Sequence, residues 1–136
     1  MGSVRSEVGS RERTVLVVDD AADLRTLLRF ALGRSPLLTV VDEAADASTA
    51  IDMAGRHQPD VIVLDEMMPG GNGSEAIPEL RSAAPGTSIV LYSAVAAKLL
   101  GEAKEPYRAD RYVEKGGSMD ELLQAVVDVT PGPLDD

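Results

Sequence analysis

The stretch Pro59-Asp60-Val61-Ile62-Val63-Leu64-Asp65 decides the fold. Four apolar residues in a row, three of them β-branched, suit a strand buried on both faces, because a strand with one face in water would alternate apolar with polar. Proline marks the entry and a carboxylate stands at the exit. Buried parallel strands require helices on both faces of the sheet, so the flanking sequence is expected to alternate strand and helix.

That expectation holds in both directions along the chain. Upstream, Thr14-Val-Leu-Val-Val18 is a second β-branched run, ending in Asp19-Asp20. Leu24, Leu27, Leu28, Ala31 and Leu32 then recur at helical spacing, with Gly33 and Pro36 as stop signals. Leu37 to Val41 reads as a strand, and Ala47 to Gly55 as a short Ala-rich helix. Downstream, Met68-Pro-Gly-Gly-Asn-Gly73 is dense in turn formers and reads as a loop. Ser74 is the expected cap of a third helix carrying Ile77 and Leu80, with Pro78 tolerated in its first turn. Ser88 to Tyr92 is a fourth strand, ending at Ser93-Ala94, and Val95 to Lys104 a weak helix interrupted by Gly101. Arg111 to Val113 is a short fifth strand, and Ser118-Met-Asp-Glu121 is a capping box that opens a last helix.

Five strands alternating with five helices predict an α/β fold, a doubly wound parallel sheet with right-handed crossovers. The expected organisation is a polar flexible leader over residues 1–13, one domain over 14–129 and a Pro/Gly-rich acidic tail over 130–136. At 136 residues there is room for one hydrophobic core.

Composition narrows the function. With a net charge of −10 and no basic stripe, the chain repels nucleic acid and anionic lipid, so protein partners are expected and direct nucleic-acid or membrane contact is not. The absence of cysteine excludes thiolate catalysis and Cys-ligated zinc, and fits a cytoplasmic setting. No apolar run approaches the ~20 residues that span a bilayer.

Ligands of such folds bind at the carboxyl ends of the strands. Those ends present Asp19 and Asp20, then Asp65, then Ser93, then Lys115, four strands delivering polar groups to one rim. Carboxylates about 5 Å apart repel one another by roughly 3 kcal/mol per pair at an effective dielectric near 20, so the cluster either stays partly protonated or recruits a cation. Without histidine or cysteine among the donors, a hard divalent ion such as Mg²⁺ is the expected occupant, with Mn²⁺ the other ion that fits.

Val-Val-Asp-Asp at 17–20, Leu-Asp-Glu-Met-Met-Pro at 64–69, Ser-Ala at 93–94 and Tyr-Val-Glu-Lys at 112–115, in this order, resemble the receiver domains of two-component response regulators over about Thr14 to Val129. The resemblance implies a flavodoxin-like sheet of strand order 2-1-3-4-5. It implies that Asp65 is the phosphoacceptor, that Asp20 binds Mg²⁺ directly and Asp19 mainly through water, and that the backbone carbonyl of Met67 is a further ligand. Lys115 then pairs with the phosphoryl oxygens, Ser93 supplies the hydroxyl that closes on them, and Tyr112 is the switch aromatic. Glu66 is read as a bystander.

The implied partners are a sensor histidine kinase or phosphotransfer protein upstream and a protein target downstream, contacted through the face made by the fourth helix, fifth strand and fifth helix. The implied molecule is a monomer or a phosphorylation-linked dimer, and a phosphoacceptor in place of a turnover enzyme. It acts alone or is the receiver of a longer DNA-binding regulator. Departures from the usual pattern are Gly116 where many members have proline, Ala21 where an acid is common, and Asn72 before Gly73. Met67 and Val95, two residues beyond Asp65 and Ser93, are apolar and are expected to hinder water that would hydrolyse a phosphoryl group.

A haloacid-dehalogenase-type phosphohydrolase also uses a strand-end aspartate with Mg²⁺, but needs a second aspartate where Met67 stands. A dinucleotide-binding domain needs glycines after the first strand, where Asp19 and Asp20 stand. The lone His57 ends the second helix, where helix-end charge accounts for it better than catalysis.

Overall fold

A computed structural model describes residues 12–95 and 103–129. Strand β1 (Arg13–Val18), helix α1 (Ala22–Gly33), β2 (Leu38–Ala44), α2 (Ala47–His57) and β3 (Val61–Leu64) follow in sequence. A small antiparallel hairpin of β4 (Met67–Met68) and β5 (Gly71–Asn72) comes next. The chain continues through a 3₁₀ turn at Gly73–Ala76, α3 (Ile77–Ala83), β6 (Ser88–Ser93), β7 (Arg111–Glu114) and α4 (Met119–Val129).

The main sheet is parallel, in the order β2-β1-β3-β6-β7. With the hairpin set aside, this is the expected 2-1-3-4-5 order. Of the five helices expected, four lie among the described residues. The one expected at Val95 to Lys104 falls largely on residues 96–102, outside them, as do most of the leader and the tail.

The central strands are apolar throughout because each side of the sheet has its own core. Leu16, Val18, Ile62, Leu64, Ile89 and Leu91 pack on Ala50 and Ala54 of α2 and Ile77 and Leu80 of α3. On the opposite side Val15, Val17, Val61, Val63 and Val90 meet Leu28 and Leu32 of α1 and Leu122, Ala125 and Val126 of α4. Nearly all of these side chains are fully buried, which is worth roughly 1.5–3 kcal/mol for each large one.

Three local expectations are corrected. Strand β2 continues past Val41 to Ala44, although Asp42 and Glu43 are polar. It is an edge strand, half-buried, with a register irregularity opposite Val15 and Leu16, and its acids are held by neighbours: His57 Nε2 lies 3.0 Å from Asp42, and Arg25 and Arg29 both reach Glu43. Helix α2 runs to His57, opened by Asp46, whose side chain accepts the Thr49 amide at 2.8 Å, and closed by Gln58 in the left-handed region at φ 47°. The third helix is not capped by Ser74; a 3₁₀ turn precedes it, capped by Asn72 in a capping box with Glu75, and Pro78 falls in the first turn of α3 as expected.

Candidate functional site

Asp19, Asp65 and Lys115 each sit one residue beyond a strand and are held there by the ladder. The Asp19 amide donates to the carbonyl of Ala44 at 3.0 Å, Asp65 to Val18 at 3.0 Å, and Lys115 to Ser93 at 2.8 Å. The parallel pairing thereby extends just past the apolar runs, and the side chains emerge side by side. Asp19, Asp20 and Asp65 each place a carboxylate oxygen within 4.8 Å of the others. Asp19 and Asp65 are buried and Asp20 is exposed.

Lys115 binds the two buried acids. Its Nζ lies 2.9 Å from Asp19 Oδ2 and 3.4 Å from Asp65 Oδ1. It also stands over the ring of Tyr92, 5.8 Å from the centroid, within the range of a cation–π attraction. Burial works against the ammonium, but the hydrogen bond to Asp19 and the charges of Asp65 and Asp19 prevail, so its pKa lies above the ordinary lysine value. For Asp65 the balance runs the other way. Burial lifts its carboxyl above the ordinary aspartate value and the charge of Asp19 adds to this, while the Met67 amide, 3.2 Å from Oδ1, and Lys115 offset it only in part.

One ammonium against three carboxylates leaves the pocket with excess negative charge. The donors are all hard oxygens, which is the set a Mg²⁺-sized ion prefers, and an ion held by a few carboxylates keeps room for water or phosphate oxygens. The described residues thus fit a divalent cation.

The loop after Asp65 is built around the backbone of that residue. Pro69-Gly70 forms the tip of the hairpin, with Gly70 at φ 90°, a conformation that glycine adopts without strain. Gly73 then folds back so closely that a Cβ there would collide with the carbonyl oxygen of Asp65. Its amide donates to the carbonyl of Glu66 at 2.8 Å. Glu66 itself is buried and is no bystander in the architecture, since its carboxylate accepts the Ser74 amide at 2.8 Å and the Ser74 hydroxyl at 2.9 Å. This pins the turn to the strand end.

Among the other residues picked out by sequence, Ser93 is fully buried and its Oγ accepts the Val95 amide at 3.2 Å. Tyr112 is half-buried and packs against the core on the α2–α3 side of the sheet; its hydroxyl accepts the Ala109 amide at 3.0 Å. Met67, two residues beyond Asp65, is 57% exposed. Gly116 takes φ 100°, and the Lys115–Gly116 bond is trans. His57 meets Asp42 at the end of α2, remote from the acid cluster in the fold.

The family model of the response regulator receiver domain matches residues 15–127. The chain belongs to this family. Among solved structures, the receiver is similar to a LuxR-family two-component response regulator from Aurantimonas sp., with 29% identity and a TM-score of 0.81 over 87% of this chain and 84% of that one. It is also similar to the response regulator domain of Thermotoga maritima CheB, with 27% identity and a TM-score of 0.72 over 93% and 99% of the two chains. The signal receiver domain of NarL from Mycobacterium tuberculosis shares 30% identity with it, with a TM-score of 0.72 over 86% and 94%. No curated protein matches the receiver by sequence. No helix among its described residues is long and apolar enough to cross a membrane.

Proposed function

We propose that this receiver accepts a phosphoryl group on Asp65 from a sensor histidine kinase or a phosphotransfer protein, and passes the event to a protein target in the cytoplasm. The single observation that carries the reading is the convergence of Asp19, Asp20 and Asp65 within 4.8 Å at one sheet edge, with Lys115 on the two buried acids. Asp19, Asp20, Asp65 and the carbonyl of Met67 would hold Mg²⁺, Asp20 directly and Asp19 mainly through water. The ion, when bound, offsets the charge that otherwise repels an incoming phosphate.

In the transfer, a carboxylate oxygen of Asp65 attacks phosphorus in line, the O–P bond forms, and the P–N bond to the donor's imidazole breaks. The electron pair leaves with that nitrogen, which takes up a proton. Lys115 pairs with the phosphoryl oxygens as a point charge, and the Ser93 hydroxyl turns to close on them. Tyr112 then rotates inward and remodels the face that includes β7 and α4. The protein is a phosphoacceptor with slow self-dephosphorylation, and the receiver domain is residues 14–129.

The test is incubation with acetyl phosphate or phosphoramidate and Mg²⁺. The wild type gains one phosphoryl group by intact mass, stable to acid and labile to base. Asp65→Asn gains none, and an equal gain in that variant rejects the assignment.

A further inference from the structure

Arg25, on the first turn of α1, reaches back under the acid cluster. Its Nη1 donates to the backbone carbonyl of Asp19 at 2.8 Å and its Nε to Glu43 Oε1 at 2.8 Å. The other Glu43 oxygen takes Arg29 Nε at 2.9 Å, and hydrogen bonds from Arg29 and then Arg25 hold the Glu43 carboxyl below its ordinary pKa. The Arg25 side chain is only 18% exposed, so this fork is largely shielded from water. Glu43 precedes Ala44, the residue whose carbonyl receives the Asp19 amide.

Asp19 is consequently fixed at every polar atom. Its amide goes to Ala44, its carbonyl takes Arg25, Oδ1 takes the Ala21 amide at 2.9 Å, and Oδ2 takes Lys115. Three of these four partners are backbone groups or the lysine of the pocket itself; Arg25 is the one that ties the turn to the edge strand through a side chain. The Asp19 carbonyl belongs to the peptide that leads into Asp20. Orienting that peptide sets where the exposed Asp20 carboxylate starts its reach towards an ion.

We propose that Arg25 is a positioning residue for the cation pocket, anchored on Glu43 and acting through the Asp19–Asp20 peptide. The proposal rests on the reading of the acid cluster as a divalent-cation site. It makes a prediction opposite in sign to simple electrostatics. A guanidinium close to the pocket repels a cation, so removing its charge should by Coulomb's law alone tighten Mg²⁺ binding. A positioning role requires the reverse. It also requires that lysine fail to substitute, because an ammonium keeps the charge but lacks the planar fork that bridges a carbonyl and a carboxylate at once.

The experiment is calorimetric titration of the metal-free protein with Mg²⁺, alongside thermal melts in EDTA, for the wild type, Arg25→Met and Arg25→Lys. Both variants should bind Mg²⁺ about tenfold more weakly, the usual cost of losing a group that orients a ligand. Affinity unchanged or tightened in either folded variant overturns the proposal, whatever happens to the melting temperature. Should Arg25→Met fail to fold, Arg25→Lys alone decides. Failure of both to fold assigns Arg25 to the scaffold and likewise overturns it. If the wild type binds no Mg²⁺, the pocket reading falls first; binding by the wild type that the variants share fully sinks the Arg25 proposal alone.

Discussion

Lys115 Nζ is nearer to Asp19, at 2.9 Å, than to Asp65, at 3.4 Å. The lysine therefore serves first as the counter-ion of buried Asp19, and only secondarily as the partner of the proposed acceptor. Replacing it by methionine leaves Asp19 and Asp65 facing each other without compensation. Removing one partner of a fully buried pair costs about 3–5 kcal/mol, and with Lys115 24% exposed the expected loss is smaller, about 1–3 kcal/mol. Urea unfolding of Lys115→Met in EDTA and in Mg²⁺ checks this: the deficit should be largest in EDTA and shrink when a divalent cation replaces the missing charge. A deficit independent of Mg²⁺ would mean that the lysine contributes by packing.

Asp65 makes the metal-free protein sensitive to pH in a specific direction. An acid whose folded pKa is raised holds its proton longer in the folded state than in the unfolded chain. Stability is therefore lost as pH rises from the ordinary aspartate value through the raised one. Asp65→Asn removes that loss, so in EDTA it should melt higher than the wild type at neutral pH and converge with it in acid. Asp42, held low first by the Glu43 amide, and Glu43, held low by Arg29 and Arg25, act oppositely and destabilise as pH falls. Both proteins share those groups, so the difference between the two melting curves isolates Asp65. A difference that does not vary with pH refutes the raised acid.

Gly73 is required by the space around it. Alanine there must displace the Asp65 carbonyl or the turn, at a cost of about 1–3 kcal/mol typical of overpacking, and should slow phosphorylation by acetyl phosphate. Gly33, at the end of α1, has nothing within 4 Å of the place a methyl group would take, and should accept alanine with a gain of up to about 1 kcal/mol. Chemical denaturation of both variants makes the comparison; equal effects would show that Asp65 does not feel the loop.

The mouth of the pocket bears on how long a phosphoryl group would persist. Met67 is 57% exposed and Val95 half-buried, two apolar residues placed two positions beyond Asp65 and Ser93, where they are expected to hinder hydrolytic water. Replacing both by polar residues should hasten loss of phosphate roughly tenfold, equivalent to about 1.4 kcal/mol of barrier. Decay of the phosphorylated protein in Mg²⁺ measures it, and an unaltered half-life rejects the idea.

Much of this is legible in the sequence because buried parallel strands advertise themselves. Val61–Leu64 and Val15–Val18 are apolar on both faces, so the two strands and the acids following them can be read from unbroken apolar runs, although β1 itself begins at Arg13. Edge strand β2 reads short because its far half is polar, and only pairing with Leu16 and Val17 of β1, with charged partners from α1 and α2 on the side chains, makes Asp42 and Glu43 strand residues. Glu66 escapes notice for a related reason. Its hydrogen bonds to Ser74 span eight residues of loop, and no local pattern reports a contact of that kind; an acid just after a buried strand is the available signal. Arg25 is equally silent, since one arginine on a helix reads as solvated until the strand beside it is placed.

The amides of Asp19, Asp65 and Lys115 are each bonded into the neighbouring strand's ladder. Reactive groups here are thus mounted on the part of the molecule that opens last, not on a loop that breathes. Their protons should exchange with solvent only through global unfolding, at rates that track the whole domain's stability, whereas those of Gly70 and Gly71 at the hairpin tip should exchange far faster. In the proposed switch, the surface would change from cycle to cycle while the groups that take the phosphoryl stay in register.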